Sequence, residues 1–241
     1  MSRISLDQPT SGAVSDSLSA EQARIREAYA KRRKDDARYS WFNPGHLFMV
    51  QERERQLLAL LRRYGSAPLT PKKILEIGCG TGYWLRKFIK WGARPENITG
   101  IDLLPDRFTE ATHLCPVTVN LLCANASHLE FEDSTFDLVL QSTVFTSILD
   151  PIMKQQVAGE MLRVLKPEGL ILWYDYHMNN PRNPDVKDVK SREIHALFPG
   201  RQIRLHRVTL APLSHVGLLL DHGCWHIYWS GFPCSVLIIS V

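Results

Sequence analysis

Five short apolar runs, separated by helix-forming segments, constrain this chain more than any other feature. They begin at Lys73 and read KILEIG, NITGID, VTVNLLCA, FDLVLQ and GLILWYDY. Within these runs polar residues do not alternate with apolar ones, which is typical of parallel strands buried on both faces. Strands that alternate with helices in this way form right-handed crossover units. The pattern therefore predicts a doubly wound, mostly parallel α/β sheet with helices on both faces.

The length of 241 residues fits one such domain with a terminal extension. Residues 1–18 are small, polar and rich in serine, and we expect them to be disordered. Ser19 and Gln22 have the spacing of a capping box, so the first helix is expected to begin at Ser19. The chain is accordingly divided into a disordered terminus (1–18), a helical extension (19–72), a core (73–212) and a tail (213–241).

An aromatic loop interrupts the helical extension at Tyr39–His46. Within it, Asn43 followed by Pro44 favours an N-cap and a first-turn proline, so a second helix is expected from there to Gly65. Aromatic faces suit a cationic or planar ligand, and loops that precede the first strand are well placed to cover one. We therefore expect Tyr39–His46 to close over a bound ligand.

Composition excludes several classes of protein. Lys and Arg number 29 and Asp and Glu 25, and the net charge of +4 gives no reason to expect a nucleic-acid partner. No run of about 18 apolar residues is present, and no apolar signal segment opens the sequence, so neither a membrane span nor export is expected. Five cysteines without a C-x-x-C pair favour reduced thiols in a cytoplasmic protein, with no metal site. The oligomeric state does not follow from these features.

The loop after the first run carries three glycines, Gly78, Gly80 and Gly82, in the order G-x-G-x-G. Such a loop is either an ordinary tight turn or a ligand site, because glycines let a backbone approach a ligand closely. Its spacing differs from the G-x-G-x-x-G of dinucleotide sites, and Glu76 two positions earlier would repel a pyrophosphate. A carboxylate there suits a ligand with an ammonium group.

Two further landmarks follow later strands. Asp102 ends the second run about 20 residues past the glycines, where a carboxylate can accept both hydroxyls of a ribose. Asn125 follows the third run, where an amide can hydrogen-bond the edge of an adenine. With Glu76, these residues describe a ligand made of adenosine and an amino acid.

These segments resemble the motifs of the class I S-adenosylmethionine-dependent methyltransferases, particularly the small-molecule branch with the ubiquinone/menaquinone C-methyltransferases. ILEIGCGTG resembles the first motif and ITGIDLLPDRF the second; CANASHLEFEDSTFDLVL and MLRVLKPEGLILWYDY resemble later ones, in the correct order. The resemblance implies a seven-stranded Rossmann-like sheet and S-adenosylmethionine as cofactor, with S-adenosylhomocysteine as product. It implies cofactor contacts from Glu76, Gly78, Cys79, Gly80, Thr81, Gly82, Asp102, Leu103, Asn125, Ala126 and Gln141.

The resemblance also assigns roles within this set. It places Glu76 near the methionine end, Asp102 on the ribose and Gln141 on the wall of the pocket. Asp102 has no obvious structural partner in the sequence, so its replacement is expected to leave the fold intact. The family usually has Asp where this chain has Asn125, which keeps an acceptor for the adenine amino group.

The methyl acceptor is less clearly indicated. The exit of the fourth run, QSTVFTS, lacks the Asn/Asp-Pro-Pro-aromatic pattern of enzymes that methylate base amines, so a small-molecule acceptor is expected. His177, in the loop after the fifth run, is a candidate general base. The loop is also explained by amides that cap their own turns. A binding module that has lost catalysis and a nicotinamide-dependent oxidoreductase are the alternative functions; the intact motif and the loop spacing disfavour them.

The tail, Leu213–Val241, has no familiar pattern. One hypothesis is that the β-branched run Ser235–Val241 forms the seventh strand, antiparallel between the fifth and sixth. The other is a shift of reading frame shortly after Pro212, which leaves a tail that was never selected for packing. Both remain open from the sequence.

Overall fold

The computed structural model describes residues 11–32, 37–176, 183–211 and 232–240. Side chains are not described for 11–15, 38, 207–211 and 232–240. The helices are α1 (Ser11–Ala30), α2 (Pro44–Arg63), α3 (Tyr83–Lys90), α4 (Pro105–Leu114), α5 (Pro151–Val164) and α6 (Ser191–Leu197). The strands are β1 (Ile74–Ile77), β2 (Ile98–Asp102), β3 (Asn120–Cys123), β4 (Phe136–Ser142), β5 (Leu165–Tyr176), β6 (Gln202–Ala211) and β7 (Phe232–Ser240).

The strands form one sheet in the order β3-β2-β1-β4-β5-β7-β6. The first five strands along the chain run parallel to one another, which confirms the predicted α/β fold. β1 lies between β2 and β4, so the order of the strands reverses beside β1. Ligands bind beyond the carboxyl ends of strands at such a switch point.

Helices cover both faces of the sheet. One apolar layer joins Ile25 of α1, Met161 of α5 and Ile194 of α6 to the sheet. The other joins Leu61 of α2 and Phe88 of α3 to the opposite face. The carboxyl ends of the strands therefore meet loops and helix ends from both layers.

Two expectations about elements are wrong. The first helix begins at Ser11, eight residues before the predicted start at Ser19. Ser17, expected to be disordered, donates its hydroxyl hydrogen bond to Asp150 at 2.6 Å, and such tertiary contacts outweigh a local capping signal. The third strand is not buried on both faces, because β3 lies at the edge of the sheet and Leu122 stays 37% exposed.

The second helix begins as predicted. Asn43 is its N-cap, and the Asn43 side-chain oxygen accepts the backbone N–H groups of Gly45 at 2.9 Å and His46 at 3.3 Å. Pro44 occupies the first turn, where its missing N–H costs nothing. The helix ends just before Gly65, whose φ of 70° suits a terminating glycine.

β7 pairs antiparallel with β5 on one side and β6 on the other. This placement agrees with the hypothesis of a seventh strand and equally with a frame-shifted tail that lends its apolar end to the sheet. Residues 213–231 lie outside the described residues. None of the described helices combines the length and the apolar character that crossing a membrane requires.

Candidate functional site

A cavity of about 290 Å³ opens at the carboxyl ends of β1, β2, β3 and β4, where the switch point lies. Loops after these strands form one wall, and α1 and α5 contribute to the other. Six of the residues predicted from the sequence line it: Gly78, Gly80, Asp102, Leu103, Asn125 and Ala126. Residues far apart in the sequence are thus brought to one site.

The loop after β1 depends on its glycines. Gly78 and Gly80 have φ values of 66° and 55°, a region that favours glycine. A Cβ atom on Gly78 would lie 2.4 Å from Cγ2 of Val144, so this position has no room for a side chain. A Cβ on Gly80 would meet nothing within 4 Å, which shows that this glycine faces open space in the cavity wall.

Asp102 joins two loops of the site. Its Oδ2 accepts the backbone N–H of Gly80 at 2.8 Å, and its Oδ1 accepts that of Leu104 at 2.9 Å. The expectation that Asp102 has no structural partner is therefore wrong. Burial raises the pKa of the Asp102 carboxyl, and the two N–H groups oppose that rise. Each oxygen keeps a further lone pair for a ligand hydroxyl.

Asn125 is held by its own loop. Its Oδ1 accepts the backbone N–H of Ser127 at 3.0 Å, an Asx turn that orients the amide. Leu103 and Ala126 present apolar surface to the same end of the cavity. An aromatic ring bound here would lie between the apolar side chains of Leu103 and Ala126, with the Asn125 amide at its edge.

Three predicted residues support the loop without lining the cavity. The backbone N–H of Cys79 donates to the carbonyl of Ile101 at 2.9 Å, which ties the loop to β2. The carbonyl of Thr81 accepts the Arg86 guanidinium at 2.6 Å. Gly82 is the N-cap of α3, in a left-handed conformation.

Gln141 does not line the cavity, contrary to the expectation. It is fully buried behind the wall, where its Nε2 donates to Oδ2 of Asp175 at 3.1 Å. Its Oε1 accepts the backbone N–H of Val144 at 3.0 Å, and Val144 does line the cavity. Any influence of Gln141 on a ligand is therefore indirect.

Glu76 is 2% exposed, and its Oε2 has no hydrogen-bond partner among the described residues. Burial, followed by the charge of Asp102, raises the pKa of the Glu76 carboxyl well above its ordinary value, whereas the backbone N–H of Leu85 and the charges of Arg53 and Arg86 oppose the rise. Such an orphaned carboxylate is ready for a cationic partner.

Sequence reasoning missed Arg53 on α2. Its guanidinium lies 4.8 Å from the Trp84 ring centre and 5.0 Å from that of Tyr174, and its Nε has no hydrogen-bond partner within the described part of the chain. Buried Nδ1 of His46 is similarly unpartnered there; burial, then the charge of Arg53, lowers the pKa of His46. His46 and Arg53 are seven residues apart and share a helix face, the one signal in the sequence that links them.

The N-terminal wall of the cavity comes from α1 and not from the aromatic loop. Ile25 and Tyr29 of α1 and Arg32, two residues beyond its end, line the cavity, whereas no residue of Tyr39–His46 does. Within that loop Trp41 stacks on Tyr83, with ring centres 6.1 Å apart.

Hydrogen bonds fasten α1 to the loop after β4. The Glu21 carboxylate accepts the backbone N–H groups of Leu149 at 2.5 Å and Asp150 at 3.3 Å. The Arg24 guanidinium donates to the carbonyl of Ser147 at 2.5 Å and to Glu21. We call these five residues and their bonds the α1 latch.

His177, the candidate base, lies outside the described residues. Across the described part of the chain, no three His, Cys, Asp or Glu side chains gather in a way that could hold a metal ion.

Residues 74–169 match the family model described as a methyltransferase domain. The match begins with β1, ends within β5, and contains all six of the predicted residues that line the cavity. The resemblance to methyltransferases that the motifs indicated is thereby confirmed for this part of the chain.

Two curated relatives illustrate the range of similar proteins. The 2-methyl-6-phytyl-1,4-hydroquinone methyltransferase of Synechocystis sp. is 34% identical over 112 residues, 45% of this chain and 33% of that protein. The sterol 24-C-methyltransferase erg-4 of Neurospora crassa is 28% identical over 225 residues, 84% of this chain and 55% of that protein. The matches thus span about a third to a half of the length of these relatives.

Among solved structures, the 1,6-didemethyltoxoflavin-N1-methyltransferase of Burkholderia thailandensis has a similar fold. The two chains superpose with a TM-score of 0.62 at 16% identity, and the match covers 98% of this chain and 92% of the other. That structure contains 1,6-didemethyltoxoflavin and S-adenosylhomocysteine. At this identity the likeness concerns the fold.

Proposed function

We propose that the chain uses the methyltransferase domain of residues 74–169 to transfer a methyl group from S-adenosylmethionine to a small-molecule acceptor. The observation that carries the proposal is the bond between Asp102 and Gly80, which joins the predicted ribose residue to the glycine loop at the edge of one cavity. The extension 19–72 would then supply the cover of the site, and 73–212 its core.

The adenosine half of the cofactor fits the cavity. The free lone pairs of the Asp102 carboxylate would accept the ribose hydroxyls, since its two backbone donors leave one lone pair on each oxygen. Leu103 and Ala126 would pack on the adenine, and the Asn125 amide would meet its edge. Gly80 leaves room for the ligand to approach the backbone.

The amino-acid half fits the orphaned charges. Glu76 offers an unpartnered carboxylate oxygen for an ammonium, and Arg53 an unpartnered nitrogen for a carboxylate. An ammonium beside Glu76 would favour its ionised form, which burial alone disfavours. This unpartnered oxygen and this unpartnered nitrogen, both outside the lining of the cavity, would serve the two charges of a zwitterionic group.

When bound, the cofactor supplies a methyl group already activated by a sulfonium centre. The chain's own residues then have to align the acceptor and exclude water. α1 performs the second task, because Ile25 and Tyr29 close one side of the cavity and the α1 latch holds the helix in place. A base is required only for an acceptor whose proton must leave, and His177 stays a candidate for that role.

We propose a small molecule as acceptor, with a quinone-like or polyketide-like hydroxyl or carbon, a sugar and another polar metabolite as the classes to test. The two curated relatives compared above support this choice, since they are named for a hydroquinone and a sterol. The alternative is a binding module without catalysis. Intact Glu76, Gly80 and Asp102 speak against it.

Calorimetric titration of the purified chain with S-adenosylhomocysteine, and with NAD as control, tests the cofactor. Binding of the first and not the second is expected. Incubation with S-adenosylmethionine labelled in its methyl group, in the presence of fractionated small-molecule extracts, then tests transfer. Absence of binding contradicts the proposal, and binding with no label in any fraction favours the binding module.

A further inference from the structure

Asp175, near the end of β5, is a buried acid that the proposed reaction does not use. It is fully buried, and its Oδ1 has no hydrogen-bond partner among the described residues. Burial raises the pKa of Asp175, whereas Thr146, Gln141 and the backbone of Tyr176 lower it. The charge of Lys154 of α5 acts in the same direction as these three groups, although Lys154 forms its own ion pair with Glu193 of α6 at 2.6 Å. Burial of an acid in such a place lowers the stability of the fold, which points to a role for Asp175 other than packing.

A relay of contacts runs from Asp175 to the cavity. Oδ2 of Asp175 accepts Nε2 of Gln141 at 3.1 Å, and Oε1 of Gln141 accepts the backbone N–H of Val144 at 3.0 Å. Cγ2 of Val144 then fills the space beside Gly78, within 2.4 Å of where a Cβ would stand. Three side chains therefore link the interior of β5 to the glycine loop.

The segment that this relay holds is strained. Thr143, a β-branched residue between Gln141 and Val144, has a φ of 62° and lines the cavity. This conformation is unfavourable for such a side chain and persists only where surrounding contacts impose it. The backbone N–H of Thr143 donates to the carbonyl of Tyr174 at 2.8 Å, and the Gln141 amide secures the next residue.

A carboxylate suits this task for a simple reason. Ionised Asp175 can only accept, so it turns the NH2 group of Gln141 toward itself and the carbonyl of Gln141 toward Val144. Without that acceptor the NH2 group of Gln141 keeps only the longer bond to the carbonyl of Tyr174, at 3.5 Å, among the contacts described here. A rotation of the amide by half a turn, which sets its NH2 group against the N–H of Val144, then costs less. Two facing donors would push the segment away from Gly78.

We propose that Asp175 is a positioning residue, which through Gln141 holds Val144 against Gly78 and so sets the shape of the cofactor cavity. The inference rests on the proposed function, because S-adenosylhomocysteine is the probe that reports the shape. It assigns an indirect role to Gln141 as well.

The test compares Asp175→Leu, Asp175→Asn and Asp137→Leu, by calorimetry with S-adenosylhomocysteine at pH 8 and by thermal unfolding. Leucine has the same number of side-chain heavy atoms as aspartate and accepts no hydrogen bond. Asp175→Leu is expected to weaken binding roughly tenfold while unfolding at the same temperature or higher, because a buried charge is gone. Asp175→Asn keeps an acceptor for Gln141 and should bind within about twofold of the wild type.

Asp137→Leu is the matched control at the other end of the sheet. Asp137 accepts the backbone N–H of Lys73 at 2.8 Å and pairs with Lys166 at 2.9 Å, remote from Val144. Its replacement should lower the unfolding temperature and leave the affinity unchanged. Asp175→Leu should therefore lose affinity without losing stability, and Asp137→Leu should lose stability without losing affinity.

Gln141→Met provides a second route to the same answer. It should weaken binding as much as Asp175→Leu does, and the double variant should be no weaker, since both residues act in one relay. Wild-type affinity in Asp175→Leu or in Gln141→Met overturns the inference, as does an equal loss in Asp175→Asn and Asp175→Leu. If Asp175→Leu does not fold, Gln141→Met alone decides. A wild-type chain that binds no S-adenosylhomocysteine contradicts the proposed function instead.

Discussion

The carboxylate of Asp102 accepts the backbone N–H of Gly80 at 2.8 Å, so the last residue of β2 shapes the loop that follows β1. Asp102 therefore orders the glycine loop and, under the proposed function, would also offer lone pairs to the ligand. Deletion of the side chain removes both roles at once. Loss of the bonds to the loop should lower stability, and loss of the ribose acceptor together with the loop geometry should lower affinity.

Asp102→Ala should weaken binding of S-adenosylhomocysteine about a hundredfold, because both the ribose acceptor and the loop geometry are lost. It should also lower the free energy of unfolding by about 1–3 kcal/mol, since two buried N–H groups lose their acceptor. Calorimetry and chemical denaturation measure both. Asp106→Ala, at an exposed position at the start of α4, should change neither. If Asp102→Ala binds with wild-type affinity, Asp102 does not bind the ribose.

Gly80→Arg should abolish binding, because the new side chain would extend into the open space of the cavity. Positive φ at Gly80 adds a strain of about 1–3 kcal/mol. Gly200→Arg is a matched control for that strain: Gly200 has a φ of 72°, and a Cβ there also meets nothing within 4 Å, but Gly200 does not line the cavity. Equal affinity in the two variants would show that the cavity is not the binding site.

Arg53→Met should weaken binding of S-adenosylhomocysteine about tenfold, since the ligand carboxylate loses a charged donor. The variant should bind 5′-methylthioadenosine, which keeps the adenosine and lacks the amino acid, as well as the wild type does. Arg55→Met, on the exposed side of the same helix, should bind both ligands normally. Equal losses for both ligands in Arg53→Met would remove Arg53 from the amino-acid end.

Stability should depend on pH through Asp175. Burial raises the pKa of Asp175 to about 7 in the folded chain, against an ordinary value of 3.8. Between these values the folded state holds a proton that the unfolded state has released, so the free energy of unfolding falls as pH rises from about 4 to about 7. The slope approaches roughly 1.4 kcal/mol per pH unit. Denaturation of Asp175→Asn should lack this component, and an unchanged slope would contradict it.

Breaking the α1 latch should loosen the cover of the site. Glu21→Ala removes the acceptor of two backbone N–H groups, and we expect α1 to exchange its amide hydrogens faster. S-adenosylhomocysteine should slow exchange in α1 of the wild type and, if the aromatic loop also closes, in Tyr39–His46. Glu52→Ala, which removes contacts with Arg55 and Gln56 inside α2, is the control. If saturating S-adenosylhomocysteine leaves the rate of amide hydrogen exchange in α1 unchanged, α1 does not cover the bound ligand.

The site residues that could be predicted are those that lie at the end of a strand or in the loop after it, because that place in the sequence fixes their position in the fold. Gly78, Gly80 and Asp102 follow directly from two strand ends, and the switch point of the sheet brings those ends together. Arg53 was not predictable in this way. It comes from α2 and lies against Trp84 and Tyr174, outside the lining of the cavity, and no local pattern records that packing.

Gln141 and Ser19 are two positions where a local pattern was present but led to a wrong prediction. The motif placed Gln141 at the right strand end, but the direction of its side chain is set by Asp175 on a neighbouring strand. The capping signal at Ser19 is real in isolation, yet α1 continues past it to Ser11, where contacts such as that of Ser17 with Asp150 are available. Long-range partners decide both cases.

The position of β7 between β5 and β6 sets the order in which the protein can be finished during synthesis. Among the described strands β6 pairs with β7 alone, so β6 leaves the ribosome before the strand that will pair with it has been made. Until then β5, which carries Asp175, presents an unpaired edge, and such edges invite association with other chains. A nascent chain truncated anywhere between β6 and β7 should consequently depend on chaperones, although it already contains every residue proposed to bind the cofactor.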